Sequence, residues 1–400
     1  MNRDDVVVPG FRWAGVEAGL RTRPGRPDFA LLVADELATC AGIFTQSDMA
    51  AAPVLLSRPK AAAGYARAVL MNAGGANACT GEAGERAAER MAGSLEEALG
   101  VDPAEVLIAS TGVIGAPLAV DRIEAAVPAL VAALRPEGLR DFARAITTTD
   151  THEKVAWRQG ELFGRRVTVA GACKGAGMIM PDMATMLACL ATDATISPGP
   201  LLELLRACAA DTFNAVTVDG DTSTNDTLYL LASGVAKSPP ITEAQGPGYD
   251  ALRQLVFDVC LDLAKQIAAD GEGATKLVEV RVEEAFSPLE ADQVARRIAN
   301  SPLVKTAWHA ADANWGRMMA AAGACGFTLD PARVSISVDG ADLVENGVGL
   351  GPEAEADAQE QMKKRAFTVV VRLGRGTYSK SIYTCDFSAE YVKINAEYRT

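Results

Sequence analysis

Four polar, glycine-rich islands set into apolar stretches constrain this chain more than any other feature. They are residues 72–81 (NAGGANACTG), 110–115 (STGVIG), 174–185 (KGAGMIMPDMAT) and 219–226 (DGDTSTND). Each adjoins an apolar run, and glycine allows the backbone to turn tightly or approach another chain closely. The runs at 66–72 and 106–110 read as short buried strands that end in such turns. Residues 83–99, 200–213, 251–269 and 353–364 carry helical patterns, with Leu252, Leu255, Val256, Val259, Leu263 and Ile267 on one face of the third. Residues 333–339 and 366–373 read as strands, and the proline- and glycine-rich segment 237–248 as a surface connection. Strands alternating with helices give a mixed α/β fold with more than one sheet. Any one island is a structural turn on its own; four of them suggest convergence on one pocket.

The 400 residues are 49% hydrophobic and 22% charged, enough apolar material for a sizeable core in two or three domains. The net charge of −13, without a basic block, argues against nucleic acid and anionic membranes as partners. The longest uncharged stretch, Val106 to Val120, is shorter than a membrane span and is broken by Ser110, Thr111, Gly112, Gly115 and Pro117. The opening Met-Asn-Arg-Asp-Asp does not have the basic start of a signal peptide, so a cytoplasmic location is expected. The eight cysteines are scattered singly, without C-x-x-C spacing, and read as small buried hydrophobes. Of the two histidines, His152 has Ala156 where a zincin needs its second ligand. No metal and no resident cofactor is expected. Phosphate-loop, dinucleotide and serine-hydrolase motifs are absent from the sequence.

The third island runs through Ala184-Thr185 into the apolar stretch Met186–Ala191. Two readings are open from the residues alone. Thr185 caps a loop entering a buried element, or the chain cuts itself before Thr185. In the second case the hydroxyl attacks the preceding carbonyl, the C–N bond breaks as the acyl group shifts from nitrogen to oxygen, and hydrolysis of the resulting ester leaves Thr185 with a free amine and hydroxyl. That amine, with an ordinary pKa of about 7.7–8.0, can serve as base for its own hydroxyl.

The islands, together with AITTTDT, SPLVKTA, DANWGR and the terminal YVKINAEYRT, resemble the ornithine acetyltransferase (glutamate N-acetyltransferase) family of arginine biosynthesis, nearly end to end. The resemblance implies a multi-layer mixed α/β fold of the N-terminal-nucleophile-like class, cut into an α chain (1–184) and a β chain (185–400). It implies acetyl transfer from N2-acetyl-L-ornithine to L-glutamate through Thr185, with Thr111 and Gly112 as the oxyanion hole. Thr148, Lys174, Thr185, Glu272, Asn395 and Thr400 match the substrate-binding positions, with Lys174 expected on a substrate carboxylate and Glu272 on the ornithine ammonium. An α2β2 assembly is implied as well. Acetyl-CoA as a second acyl donor stays open. Two loops depart from the family pattern. Asn72-Ala73-Gly74-Gly75-Ala76-Asn77 replaces N-S-G-N-A-N, and Ala313 replaces the proline before Asn314-Trp315. The rival readings are an N-terminal-nucleophile aminopeptidase and, more distantly, an aspartyl phosphotransferase using Asp219 and Asp221.

Overall fold

A computed structural model describes residues 6–21, 24–180 and 186–397. The chain opens with β1 (Phe11–Val16), β2 (Phe29–Phe44), α1 (Ala52–Ala62), β3 (Tyr65–Gly75), α2 (Gly81–Leu99) and β4 (Val106–Val113). It continues through α3 (Val120–Ala132), α4 (Leu139–Ile146), β5 (Lys154–Leu162), β6 (Arg165–Lys174), β7 (Leu187–Thr192), α5 (Pro198–Ala210), β8 (Thr227–Ala232) and α6 (Pro247–Ala269). The remainder is β9 (Leu277–Ala285), α7 (Pro288–Ala299), α8 (Pro302–His309), α9 (Trp315–Gly323), β10 (Ser335–Val338), β11 (Ala341–Glu345), β12 (Val348–Gly349), α10 (Pro352–Met362), β13 (Ala366–Arg372), β14 (Tyr378–Cys385) and α11 (Ala389–Glu397).

Two mixed sheets organise these elements. The first runs β4-β3-β2-β8-β7-β6-β5, with β1 also paired to β2; the second runs β12-β11-β10-β13-β9-β14. Within the first, β3/β4 and β7/β8 are parallel and the other pairs antiparallel. Every residue of β7 (LACLAT) and β8 (TLYLLA) is buried, the mark of strands covered on both faces. In β9 the alternation Val278, Val280, Val282 buries a single face.

Alternate residues of the first sheet divide between cores. Leu32, Met71 and Tyr229 join Trp13 and Phe142 of α4, whose rings meet edge to face at 5.1 Å. On the opposite side Leu31, Leu70 and Ile108 are covered by α2 and α3, and Leu190, Leu228 and Leu230 pack with α5 and α6. Helix α6 lies between the sheets, against β5 and β6 on one side and β14 and β9 on the other. The result is the expected multi-layer mixed α/β fold.

The four helices read from periodicity form as α2, α5, α6 and α10. Helix α5 stops at Ala210, short of 213, because a 3-10 turn over Phe213–Ala215 follows. The connection expected over 237–248 ends sooner, since Pro247 at the first helical turn starts α6 and takes Gly248 into it. Seven of the eight cysteines are buried thiols, and Cys79 is exposed. Among the described residues, no helix is long and apolar enough to cross a membrane. The first sheet takes β1–β6 from before residue 184 and β7 and β8 from after it. The expected division into 1–184 and 185–400 therefore passes through a sheet, not between two packed units.

Candidate active site

The tips of β3 and β4 meet in parallel register, Asn72 beside Ser110 and Gly74 beside Gly112. Gly112 has φ +133°, and a Cβ there would stand 2.5 Å from the Gly74 carbonyl carbon and 2.6 Å from the Gly75 nitrogen. Backbone-to-backbone contact this close admits glycine only. Side-chain amides lock the tips together. Ser110 Oγ donates to Asn72 Oδ1 at 2.6 Å, and Asn72 Nδ2 donates to the Gly75 carbonyl at 3.1 Å. From the fourth island, Asn225 Nδ2 donates to the carbonyls of Ala76 (2.6 Å) and Ser110 (2.9 Å). One buried amide thus ties three islands to each other.

The third island is held the same way. Asp219 accepts from the amides of Met178 (2.6 Å), Ile179 (2.8 Å) and Asp221 (3.3 Å). Met178 sits at φ +55°, an uncommon conformation for its residue type and one concentrated at functional sites. Gly177 lies against Glu272, whose two carboxyl oxygens would both be 2.5 Å from an added Cβ. The Glu272 amide donates to the Ala176 carbonyl (2.8 Å), and Asn395 Nδ2 donates to Glu272 Oε2 (2.8 Å). Helix α11 also contributes Tyr391, stacked on Phe387 at 4.6 Å.

These segments enclose a cavity of about 140 Å³, the scale of an amino acid, and all four islands line it. Thr111, Gly112, Thr148, Lys174, Glu272 and Asn395, six of the residues expected in a site, share that one wall. Ala184, Thr185 and Thr400 lie outside the described residues. The next residue, Met186, accepts at its carbonyl from the Thr227 amide at 3.0 Å, at the start of the β7/β8 pairing.

Lys174 ends β6 and is buried, with Nζ donating to Thr111 Oγ1 at 3.2 Å. Burial pulls its ammonium below the ordinary lysine range; Asp150, Asp226 and Glu272 oppose that pull, and Lys154 adds to it. The lysine expected on a substrate carboxylate lines the cavity and touches the hydroxyl of Thr111. Asp150 accepts from Lys154 Nζ (2.6 Å) and from the amides of Thr148 (2.8 Å) and Gly175 (2.7 Å). Burial alone would raise its carboxyl, but Lys154, Lys174 and these hydrogen bonds hold it well below the ordinary range. A second carboxylate, Asp270, caps Lys154 from the other side.

Asp150, Lys154, Asn225 and Tyr391 were not singled out by the sequence. Asn225 and Tyr391 nevertheless lie in motifs that were, and Asp150 ends TTTD. Neither histidine lines the cavity. His152 is exposed beside Thr151, and His309 Nδ1 lies 2.7 Å from Asp386 Oδ2. Among the described residues no three His, Cys, Asp or Glu side chains are placed to hold a metal ion. Asp219, the nucleophile of the phosphotransferase reading, has its oxygens engaged by backbone amides.

A hydroxyl, a glycine amide, a buried lysine and a buried carboxylate around an amino-acid-sized cavity define a small-molecule enzyme on a two-sheet α/β frame. The ArgJ family model matches residues 12–400, and the chain belongs to that family. It is 46% identical over 393 residues to the Arginine biosynthesis bifunctional protein ArgJ of Geobacter sulfurreducens, covering 98% of this chain and 100% of the relative. The protein of the same name from Pseudomonas syringae pv. tomato is 45% identical over 394 residues, covering 98% and 97%. Among solved structures, an ArgJ chain from Bacillus halodurans is 40% identical, covers 52% of this chain and 96% of its own, and has a TM-score of 0.49. An ornithine acetyltransferase chain from Mycobacterium tuberculosis, solved with ornithine, is 33% identical, covers 46% and 97%, and has a TM-score of 0.39. The resemblance carried by the motifs is family membership.

Proposed function

We propose that the chain cuts itself between Ala184 and Thr185 and then moves acetyl from N2-acetyl-L-ornithine to L-glutamate through an acetyl-Thr185 ester. The observation that carries this reading is that Thr111, Gly112, Lys174, Glu272 and Asn395 line one small cavity together. In the first half-reaction the Thr185 hydroxyl adds to the acetyl carbonyl and its proton passes to the Thr185 amine. The C–N bond then breaks, and ornithine leaves carrying that proton on its nitrogen. In the second half-reaction the glutamate amine adds to the ester carbonyl, and the Thr185 oxygen leaves as a hydroxyl. Each tetrahedral oxyanion is met by the Thr111 hydroxyl and the Gly112 amide, donors of a kind worth about 2.7–4 kcal/mol each. Glu272, fixed by Asn395, receives the ornithine ammonium, and Lys174 supplies the positive charge of the wall. The chemistry needs neither metal ion nor resident cofactor. The two fragments stay joined through the first sheet and pair into α2β2, and the enzyme works in the cytoplasm.

The test is direct. Purified protein gives fragments of roughly 19 and 22 kDa from the 41.8 kDa chain. The larger fragment begins Thr-Met-Leu-Ala, and initial-rate plots against the two substrates are parallel. An intact active chain, or intersecting lines, refutes the mechanism. Acetyl-CoA as donor in the same assay decides whether the enzyme has a second activity.

A further inference from the structure

Three of the candidate substrate residues lie on separate segments that are pinned to one another by hydrogen bonds. Thr148 belongs to the connection between α4 and β5, Lys174 ends β6, and Glu272 follows α6. Asp150 Oδ1 accepts from the Gly175 amide at 2.7 Å, which joins the first segment to the second. The Glu272 amide donates to the Ala176 carbonyl at 2.8 Å, which joins the second to the third. Asp270 Oδ2 accepts from the Thr151 amide at 3.1 Å and Oδ1 from the Thr151 hydroxyl, which joins the third back to the first. The pins close a ring. Lys154 Nζ ties its two carboxylates together, donating to Asp150 at 2.6 Å and to Asp270. All three of these charged side chains are buried. A buried polar network whose members are all satisfied is rigid, because no one bond can lengthen without straining the others.

The two ends of the acyl donor fall on different members of this ring. In the proposed reaction the acetyl oxygen sits at Thr111, which Lys174 touches at 3.2 Å. The only ammonium of N2-acetyl-L-ornithine is the one on its side chain, and it sits at Glu272. The number of methylenes that fit between the two is then set by the distance from the end of β6 to Glu272.

We propose that the ring held by Asp150, Lys154 and Asp270 is a ruler for the acyl donor, which selects ornithine over diamino acids one methylene longer or shorter. Its members are positioning residues, and the proposal rests on the reading of Glu272 as the ammonium site. Asp270 is the member that can be removed most cleanly. Without it Lys154 keeps Asp150 as a balanced pair, and Thr151, which is exposed, can give its amide to water. Asparagine at 270 keeps the ring closed. Its oxygen still accepts from Lys154 and the Thr151 amide, and its NH2 donates to the Thr151 hydroxyl.

The experiment compares kcat/KM for N2-acetyl-L-ornithine and N2-acetyl-L-lysine, with L-glutamate as acceptor, in the cut wild-type, Asp270→Ala, Asp270→Asn and Thr151→Val proteins. A loss of folded enzyme cancels from the ratio of two donors measured on one preparation, so a merely structural role leaves that ratio unmoved. The wild type prefers ornithine by about tenfold or more, as one methylene in a fitted pocket allows. The preference shrinks by about fivefold or more in Asp270→Ala and by about twofold or more in Thr151→Val, while Asp270→Asn stays within about twofold of wild type. An undiminished preference in folded, cut Asp270→Ala overturns the proposal, and so does a wild type that takes both donors equally. An Asp270→Asn ratio as low as that of Asp270→Ala overturns it too, since charge and not the pin would then decide. If Asp270→Ala does not fold, an unchanged ratio in Thr151→Val overturns it. Absence of acetyl transfer from N2-acetyl-L-ornithine in the wild type overturns the underlying reading instead.

Discussion

Gly112→Ala separates the position of an amide from the flexibility of its loop. The added Cβ would meet the Gly74 carbonyl carbon at 2.5 Å, the Gly75 nitrogen at 2.6 Å and Gly74 Cα at 2.9 Å, all backbone atoms of β3. Relief to ordinary contact near 3.4 Å requires the β4 tip to shift by about 1 Å, enough to take the Gly112 amide out of hydrogen-bond range of an oxyanion. Loss of one such donor lowers kcat by about 10²–10³-fold. The positive φ adds strain of about 1–3 kcal/mol, visible as a lower thermal midpoint. Gly115→Ala is the control. It lies in the same island at φ +78°, with nothing within 4 Å of its added Cβ, so it carries the strain without the clash. Initial rates with N2-acetyl-L-ornithine, with circular dichroism melts of both variants, give the comparison. The expected result is a loss of stability in both, larger in Gly112→Ala because it adds the clash, and a loss of kcat confined to Gly112→Ala. Folded Gly112→Ala within threefold of wild-type kcat, or equal damage from Gly115→Ala, refutes the placement of the amide.

Three further outcomes follow from the same contacts. Gly177→Ala forces the Glu272 carboxyl aside, so KM for the ornithine donor rises by about tenfold or more while kcat changes less; kinetics with unchanged KM would remove Glu272 from substrate binding. Lys154→Met leaves Asp150 and Asp270 as buried carboxylates without their shared cation and costs about 3–5 kcal/mol in urea unfolding; a loss under 1 kcal/mol would show that the triad does not carry charge. Asp150 and Asp386 are both depressed in the folded chain, Asp386 because hydrogen bonds from Thr275, His309 and two amides outweigh its burial. Their stabilisation is complete above the unfolded value near 3.9 and is lost as pH falls further, so unfolding free energy drops from about pH 4 towards pH 2; a flat acid profile would contradict the assignment.

The sequence located the islands and suggested that they converge on one pocket, but did not show how the chain brings them there. Glycine clusters announce where a chain can bend, and the first two islands begin as the tips of β3 and β4 before the chain turns. What brings them to one cavity is the parallel register of β3 with β4 and of β7 with β8, joining segments far apart in sequence, and no local pattern encodes that. Strand β2 is a similar case. Its middle residues Asp35, Glu36 and Leu37 are exposed, and the register with β3 shifts between Val33 and Ala38, so alternation fails where the strand is longest. Asn225, inside a run of Ser, Thr, Asn and Asp, reads as a turn residue. It becomes a clamp once the carbonyls of Ala76 and Ser110 arrive from two other strands. The resemblance named six described residues that line one cavity, and it assigned no role to Asp150, which accepts from the Thr148 amide.

The buried lysines show how structure separates support from chemistry where sequence does not. Lys154, Lys174 and Lys305 are all buried, and an ammonium is costly to bury unless paired. Lys154 is held between Asp150 and Asp270. Lys305 donates to Thr384 Oγ1 at 2.7 Å and to the Cys385 carbonyl, and lies 4.6 Å from the Phe387 ring that stacks under Tyr391. Both are satisfied, and both brace segments behind the cavity. Among the described residues the Lys174 side chain has one hydrogen bond, to the Thr111 hydroxyl, and it lines the cavity. Asp150, Asp226 and Glu272 offset the burial of this ammonium only in part, so negative charge that the cavity receives adds to its compensation. Negative charge developing on an acyl oxygen beside Thr111 is a compensation of that kind.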